Sequence, residues 1–474
     1  MVSLKVDTNP DFKGRLIEQD ILDQSGSQPI YLSRIEINGG ETFSYQFFNK
    51  LLSPLVDNSD YTFSQLVTNI QSTRSNLLNT GVFKNVDVNL QPDYFINYPQ
   101  QIKSYNNEKS IPTKLTFDLS SINLNINEGF FNFNNEEMLN LNLNHLNNNF
   151  NENAELVSIG VDYNPYKPYD VLLTNGKFIS SLKNPLFKFL IDLNVGQSNN
   201  LNWGNFKSKI LSGKLGLLYK KEQFDIFNGF QINKKNLYDI EDDDIKFFTG
   251  DFLKTSVLNN VNYSNVSYIN TLTKNFPTNG IKFNINIELS SIQENSNNLN
   301  GGEFFKSSIN ANIYKSLFNN LLTTHFETDF GFIYSFSKFP IHPTDKFYLG
   351  GFNSFIGFNK NSVEPKGGLQ FYKVQSTFYT KVPSLLYKAN GFAHEANPLR
   401  LYATAIIGNV SNNIFKDESG ALSYGLGLRY FNHWANFDLG YYISNRFGYQ
   451  QDNTQGLRNG IQFSISIGGS NRNT

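Results

Sequence analysis

From about residue 128 onward, apolar and polar residues alternate in repeated runs of roughly ten, bounded by Asn, Gly, Ser or Pro. The clearest run sets Ile281, Phe283, Ile285, Ile287 and Leu289 against Lys282, Asn284, Asn286 and Glu288. Phe187, Phe189, Ile191, Leu193 and Val195 repeat the design, as do Phe326, Phe330, Phe332 and Tyr334. Successive side chains of a strand point to opposite faces, so each run has one apolar and one polar side. A soluble sandwich would show the same alternation. The number of runs separates the two, because about 340 residues at roughly 21 per strand and turn suit a lipid-spanning barrel of about sixteen strands. Residues 128–474 are therefore predicted to form a transmembrane antiparallel β-barrel. Closure would also remove the strand edges that hydrocarbon cannot satisfy.

Residues 29–127 follow another pattern. Tyr31 to Ile37 reads as a strand ending at Gly39-Gly40. Phe48, Leu51, Leu52 and Leu55 then recur at helical spacing. A second helix opens with Thr62 and Gln65 spaced as a capping box, carries Phe63, Leu66, Val67, Ile70 and Leu77 on one face, and meets Gly81 as its C-cap. Val86, Val88 and Leu90 alternate with polar neighbours, as do Leu115, Phe117 and Leu119. The predicted order is β-α-α-β-β. Residues 1–28 read as a polar, flexible tail without an apolar leader segment.

Composition sharpens the barrel reading. Aromatic residues make up 15% of a chain whose mean hydropathy is −0.38. A polar average with so much Phe and Tyr suits a wall that meets lipid outside and water inside. No run of 18 or more apolar residues exists, which excludes a spanning helix. Lys+Arg 40 against Asp+Glu 41 leaves no concentrated basic surface for nucleic acid. With no cysteine there is no disulfide or thiolate chemistry, and the five histidines show no metal-ligand spacing. Asp242-Asp243-Asp244 reads as a solvated turn, and no nucleophile–His–acid constellation is legible, so neither a cofactor nor an enzymatic reaction is expected.

Three stretches resemble the superfamily of outer-membrane-protein assembly factors, which includes the bacterial assembly-machine barrel, the chloroplast import channel and the mitochondrial sorting and assembly barrel. The 29–127 unit resembles one polypeptide-transport-associated (POTRA) domain, with Leu78 to Val86 similar to its helix-to-strand turn. Asp345 to Gly350 and Gly351, then Phe355, Ile356, Gly357 and Phe358, resemble the strand and motif of the family's long inward-folded loop, here around 350–367. The C-terminal run closes with Arg458, Gly460, Phe463 and Ile465, which fit the terminal β-signal of mitochondrial barrels. One soluble domain and that signal favour the mitochondrial branch, and the abundant Asn suits a fungal coding bias.

What the resemblance implies is insertion and assembly of precursor β-barrel proteins in the mitochondrial outer membrane, with the soluble domain in the intermembrane space and peripheral subunits as partners. The mechanism implied is edge-strand templating at a lateral gate. That gate is expected between the last strand, Phe463 to Ile467, and a first strand near Leu139, Leu141 and Leu143, with Asn140, Asn142 and Asn144 facing the lumen. The family places an Arg where this chain has Ile356. Its expected partner is a lumenal carboxylate, for which Asp438 is the candidate. Either Lys360 or Lys366 compensates, or the chain is a divergent paralogue with reduced activity. Other readings are a protein-translocating pore of the same superfamily and a passive solute pore, although porins lack both the N-terminal domain and the Gly-Phe loop.

Overall fold

A computed structural model describes residues 25–94, 110–168, 171–270, 274–294, 301–382, 398–432, 434–448 and 456–470. All but the last four residues of the expected tail lie outside that set. The chain divides into two compact units. One is Met1–Leu124 with Asn147–Leu156 and Ser180–Phe187; the other is Asn125–Leu146, Val157–Ile179 and Lys188–Thr474.

In the first unit, β1 (Pro29–Asn38), α1 (Tyr45–Val56), β2 (Asp60–Thr62), α2 (Phe63–Thr80), β3 (Phe83–Pro92) and β4 (Ile111–Ser121) follow in order. The sheet runs β2-β1-β4-β3, with β1 and β4 parallel. This is the expected order with one added strand. Three residues are too few for alternation to register, and Thr62 both ends β2 and caps α2. The capping box is complete: Thr62 Oγ1 accepts from the Gln65 N–H at 3.3 Å, and Gln65 Oε1 accepts from the Thr62 N–H at 3.1 Å. Gly81 closes α2 at φ 83°, a left-handed conformation that glycine adopts without steric cost. Pro54 leaves Lys50 without its helical donor, and the Ser53 hydroxyl bonds that carbonyl instead, at 3.3 Å. The predicted faces meet in one core of Phe48, Leu51, Leu52, Leu55, Leu66 and Leu77 against Val86, Leu115 and Phe117.

Removing one arm of the capping box by Thr62→Ala should cost about 1 kcal/mol. Amide exchange of Ser64 to Leu66 in the full-length protein should then quicken about fivefold while barrel amides keep their rates. Unchanged exchange there would show that the cap contributes nothing.

The second unit is a closed antiparallel barrel of sixteen strands, β5 (Asn125–Asn134) to β20 (Gly460–Ser470), each beside its sequence neighbour and β20 returning to β5. It begins at Asn125 rather than 128. The alternation sorts as predicted: Ile281, Ile287 and Leu289 lie on the exposed outer face, while Glu288 forms an ion pair with Lys254. A continuous outward band of such residues in water would be an aggregation surface; in lipid it is the matching solvent. Among the described residues, no helix is long and apolar enough to cross a membrane.

Candidate functional site: the inward loop and the closing seam

Between β15 (Leu322–Ser335) and β16 (Gln370–Lys381), residues 336–369 form a loop that contains the stretch expected around 350–367. Its anchor is Asp345, which is 3% exposed. Lys254 Nζ donates to Asp345 Oδ1 at 2.6 Å, and Lys235 Nζ lies 2.6 Å from Oδ2 while donating to Thr344 Oγ1 at 3.0 Å. Lys306 Nζ donates to the Asp345 carbonyl at 2.6 Å. These lysines come from β11 (Phe224–Tyr238), β12 (Gly250–Asn270) and β14 (Gly301–Leu317), so one loop residue ties three strands. Burial by itself would push the Asp345 carboxyl up, but the Lys235 and Lys254 ammoniums hold it far below the usual carboxylate range. His342, fully buried against the Phe248 and Phe252 rings, is pushed down to about 3 by burial and then by Lys235, and is therefore neutral.

Further along, the loop presses its backbone onto the wall. Gly350, Gly351 and Gly357 take φ of 130°, 98° and 101°. A Cβ on Gly357 would lie 1.9 Å from Ser444 Oγ and 2.4 Å from Ser423 Oγ. Phe355, Ile356 and Phe358 join Tyr402, Ile406, Val410 and Tyr442 in one buried cluster. Arg446, on β19 (Ala435–Phe447), donates to the carbonyls of Val363 at 2.8 Å and Ser362, with its guanidinium 5.5 Å from the Phe358 ring centroid.

Asp438 does not wait for a loop cation. Arg429, its register partner across β18 (Gly420–Phe431), donates from Nε at 2.6 Å, and Tyr402 donates its hydroxyl at 2.7 Å. Neither expected substitute reaches Asp438: Lys360 pairs with Glu137 at 2.6 Å and Lys366 with Asp244 at 2.7 Å. Ile356 thus does not leave Asp438 unpaired. The polarity of the loop anchor is reversed from the expectation, with an anion on the loop and cations on the wall. Arg429, Arg446 and the three lysines are outside the predicted residues, and Asp345, expected only as the start of a strand leading into the loop, instead ends a 3-10 turn over Pro343–Asp345.

The seam also departs from the expectation. Leu139, Leu141 and Leu143 belong to β6 (Met138–Phe150), the second barrel strand. The strand that closes on β20 is β5, pairing Glu128–Asn134 with Ser464–Ser470. Those are seven register pairs, against eight between β19 and β20 and fourteen between β13 (Asn275–Glu294) and β14. Phe463 packs on Phe133 with ring centroids 5.7 Å apart, Ile465 registers with Phe133, and Asn132 Nδ2 donates to Ser466 Oγ at 2.8 Å. Gly460 begins β20 at φ 110°, and Gly460 to Phe463 pair with β19 but have no ladder partner on β5. There the Asn135 amide stands in for a strand, donating to the Ile461 carbonyl at 3.0 Å and accepting from the Phe463 N–H at 3.4 Å. Arg458 lies just before the strand and donates to the Asn135 carbonyl.

An outward apolar band, a lumen-docked loop and a short closing seam define an outer-membrane β-barrel. The chain belongs to the Omp85 superfamily, whose domain matches residues 118–470. Membership makes it a barrel of the class that inserts or translocates outer-membrane proteins. Its fold is similar to that of BamA from Haemophilus ducreyi lacking POTRA domains 1–3, with a TM-score of 0.72 at 13% identity over 99% of this chain and 94% of that one. CdiB from Acinetobacter baumannii is also similar, with a TM-score of 0.53 at 13% identity over 98% and 82% of the two chains. No curated protein matches the chain in sequence.

Proposed function

We propose that this protein inserts and assembles precursor β-barrel proteins in the mitochondrial outer membrane, by lending its seam strands to the incoming chain. The observation that carries the reading is the seam itself. Seven pairs, the Asn132 and Asn135 amides and the Phe133–Phe463 contact hold β5 to β20, so parting them costs less than parting the fourteen pairs of β13 and β14. Once parted, each strand offers main-chain donors and acceptors that hydrocarbon leaves unsatisfied and a client strand restores. No covalent chemistry is required. Arg458, Gly460, Phe463 and Ile465, the residues of the terminal signal, support the mitochondrial assignment, with the soluble unit in the intermembrane space and peripheral subunits as partners. The docked loop speaks against a passive solute pore, because it fills lumen that a pore would keep open.

The test is a lock. Asn132→Cys with Ser466→Cys bridges the seam in a protein that has no other cysteine. When it is oxidised in mitochondria, assembly of a radiolabelled porin precursor should fall at least tenfold, and reductant should restore it. Full assembly with the seam bridged would rule out templating there.

A further inference from the structure

The turn between β5 and β6 touches more than its own hairpin. The Asn134 side-chain oxygen accepts from the Glu136 and Glu137 N–H groups at 2.9 and 2.7 Å, which shapes the turn and aims both carboxylates away from it. Glu136 Oε2 accepts from the Phe352 N–H of the inward loop at 2.8 Å. Glu136 Oε1 faces Arg458 Nη1 at 3.6 Å, an ion contact just beyond hydrogen-bond reach. Glu137 Oε1 holds Lys360 of the same loop at 2.6 Å. Burial pushes the Glu137 carboxyl up, but its contacts with Lys360 and Asn140 outweigh that and keep it below its ordinary value.

The same stretch of loop also grips the other side of the seam. Phe358 bridges Leu457 in antiparallel fashion. The Arg458 N–H donates to the Gly357 carbonyl at 2.8 Å, and the Asn359 N–H donates to the Gly456 carbonyl at 2.8 Å. Residues 352–360 therefore hold the first hairpin with one set of bonds and the lead-in to the last strand with another. The two sets differ in kind. On the β20 side they are main-chain bonds. On the β5 side they depend on two carboxylates.

We infer that Glu136 and Glu137 are gate-positioning residues: they clip the first hairpin to the inward loop, and through it to β20, so that release of this clip opens the seam from its Asn134–Ser464 end. The clip sits beside the edge of β20 that a client would take, since Asn135 covers Ile461 and Phe463. An arriving strand that claims that edge displaces Asn135, pulls on the adjacent carboxylates and couples its own binding to opening. The inference rests on the templating reading for its purpose and on the contacts alone for its existence.

The experiment measures closure directly. In full-length protein in phosphatidylcholine–phosphatidylethanolamine vesicles, the Asn132→Cys/Ser466→Cys pair reports how often the seam is closed, through its rate of disulfide formation under mild oxidant. Glu136→Gln with Glu137→Gln keeps shape and removes both charges; it should slow that rate about tenfold, as losing charge-assisted bonds would. Asp244→Asn, which instead weakens the exposed bond that Lys366 of the loop donates to Asp244, should leave the rate alone. The exchange Glu137→Lys with Lys360→Glu should recover most of the rate lost in Glu137→Lys alone. Equal rates for the Gln variant and the parent overturn the clip, and so does equal slowing by Asp244→Asn. Precursor assembly measured in parallel separates the two readings. Slower bridging with assembly undiminished by the lock keeps the clip and removes templating; normal bridging with assembly blocked by the lock does the reverse.

Discussion

Asp345→Asn should loosen the inward loop from the wall and cost about 3–5 kcal/mol, the range found when one member of a buried ion pair is removed. The side chains of Asp345, Lys235 and Lys254 are each only 4% exposed, so solvent screening discounts little of this. The substitution keeps the shape of Asp345 but takes the carboxylate from Lys235 and leaves Lys254 with Glu288. Two measurements follow it: the temperature at which the barrel loses its compact mobility on gels, and the rate at which protease cuts residues 336–369. Both should move strongly. A second variant shows whether charge or shape is responsible. Lys235→Met added to Asp345→Asn removes one stranded cation and should recover part of the loss. If the single variant melts and resists protease like the parent, the ion cluster is not the anchor.

The pH dependence has a definite sign. The folded Asp345 carboxyl sits below its ordinary value of 3.8, so its contribution is complete above that value and disappears only as pH falls through the depressed one. From pH 5 to 7 the parent loop should therefore hold equally well.

How much of this was legible in the sequence depends on how local each feature is. The capping box, the Gly81 cap and the β13 alternation are encoded within a few residues of one another, and pattern reading finds them. The first barrel strand was misplaced for a local reason too. Leu139, Leu141 and Leu143 alternate cleanly with Asn, whereas β5 reads Asn-Ile-Asn-Glu-Gly-Phe-Phe-Asn-Phe-Asn, with a glycine and two adjacent aromatics. Phe130 and Phe131 are both exposed, which a strict two-residue period does not allow. The irregular strand is the one that closes the barrel, where the proposed templating asks for a ladder that parts readily.

The ionic features were illegible for a different reason. Asp345 meets Lys306, Lys254 and Lys235 across 39, 91 and about 110 residues, and nothing short of the barrel's register brings them together. Arg429 faces Asp438 only because β18 and β19 pair in that register; a slip of one residue would turn one of them to lipid. Resemblance to the family supplied the right place, a loop gripping the wall beside β19, and the wrong sign. The Ile356 position is apolar because its surroundings are: it packs in the cluster with Phe355, Phe358, Tyr402 and Tyr442, and the cation that Asp438 needs arrives from the neighbouring strand.

The motif's backbone leaves less freedom than its side chains, and Gly357→Ala should show it. At φ 101° an alanine is strained by about 1–3 kcal/mol. Its methyl group would also collide with the Ser444 and Ser423 hydroxyls, which bond each other at 3.0 Å, and would come within 3.1 Å of Ser444 Cβ. The hydroxyls can rotate, whereas Cβ is fixed to the strand, so overpacking adds about another 1–3 kcal/mol. Ser444→Gly in the same chain should return the overpacking part and leave the backbone strain. Because the Gly357 carbonyl accepts the Arg458 N–H, any retreat of the loop here also releases the lead-in to β20. Gly357→Ala should therefore lower the melting temperature and slow precursor assembly together. Asp345→Asn, acting far from the seam on strands β11, β12 and β14, should weaken the loop with a smaller loss of assembly per unit of stability. Equal ratios in the two variants would mean that the loop serves assembly only by keeping the barrel folded, with no direct hold on the seam.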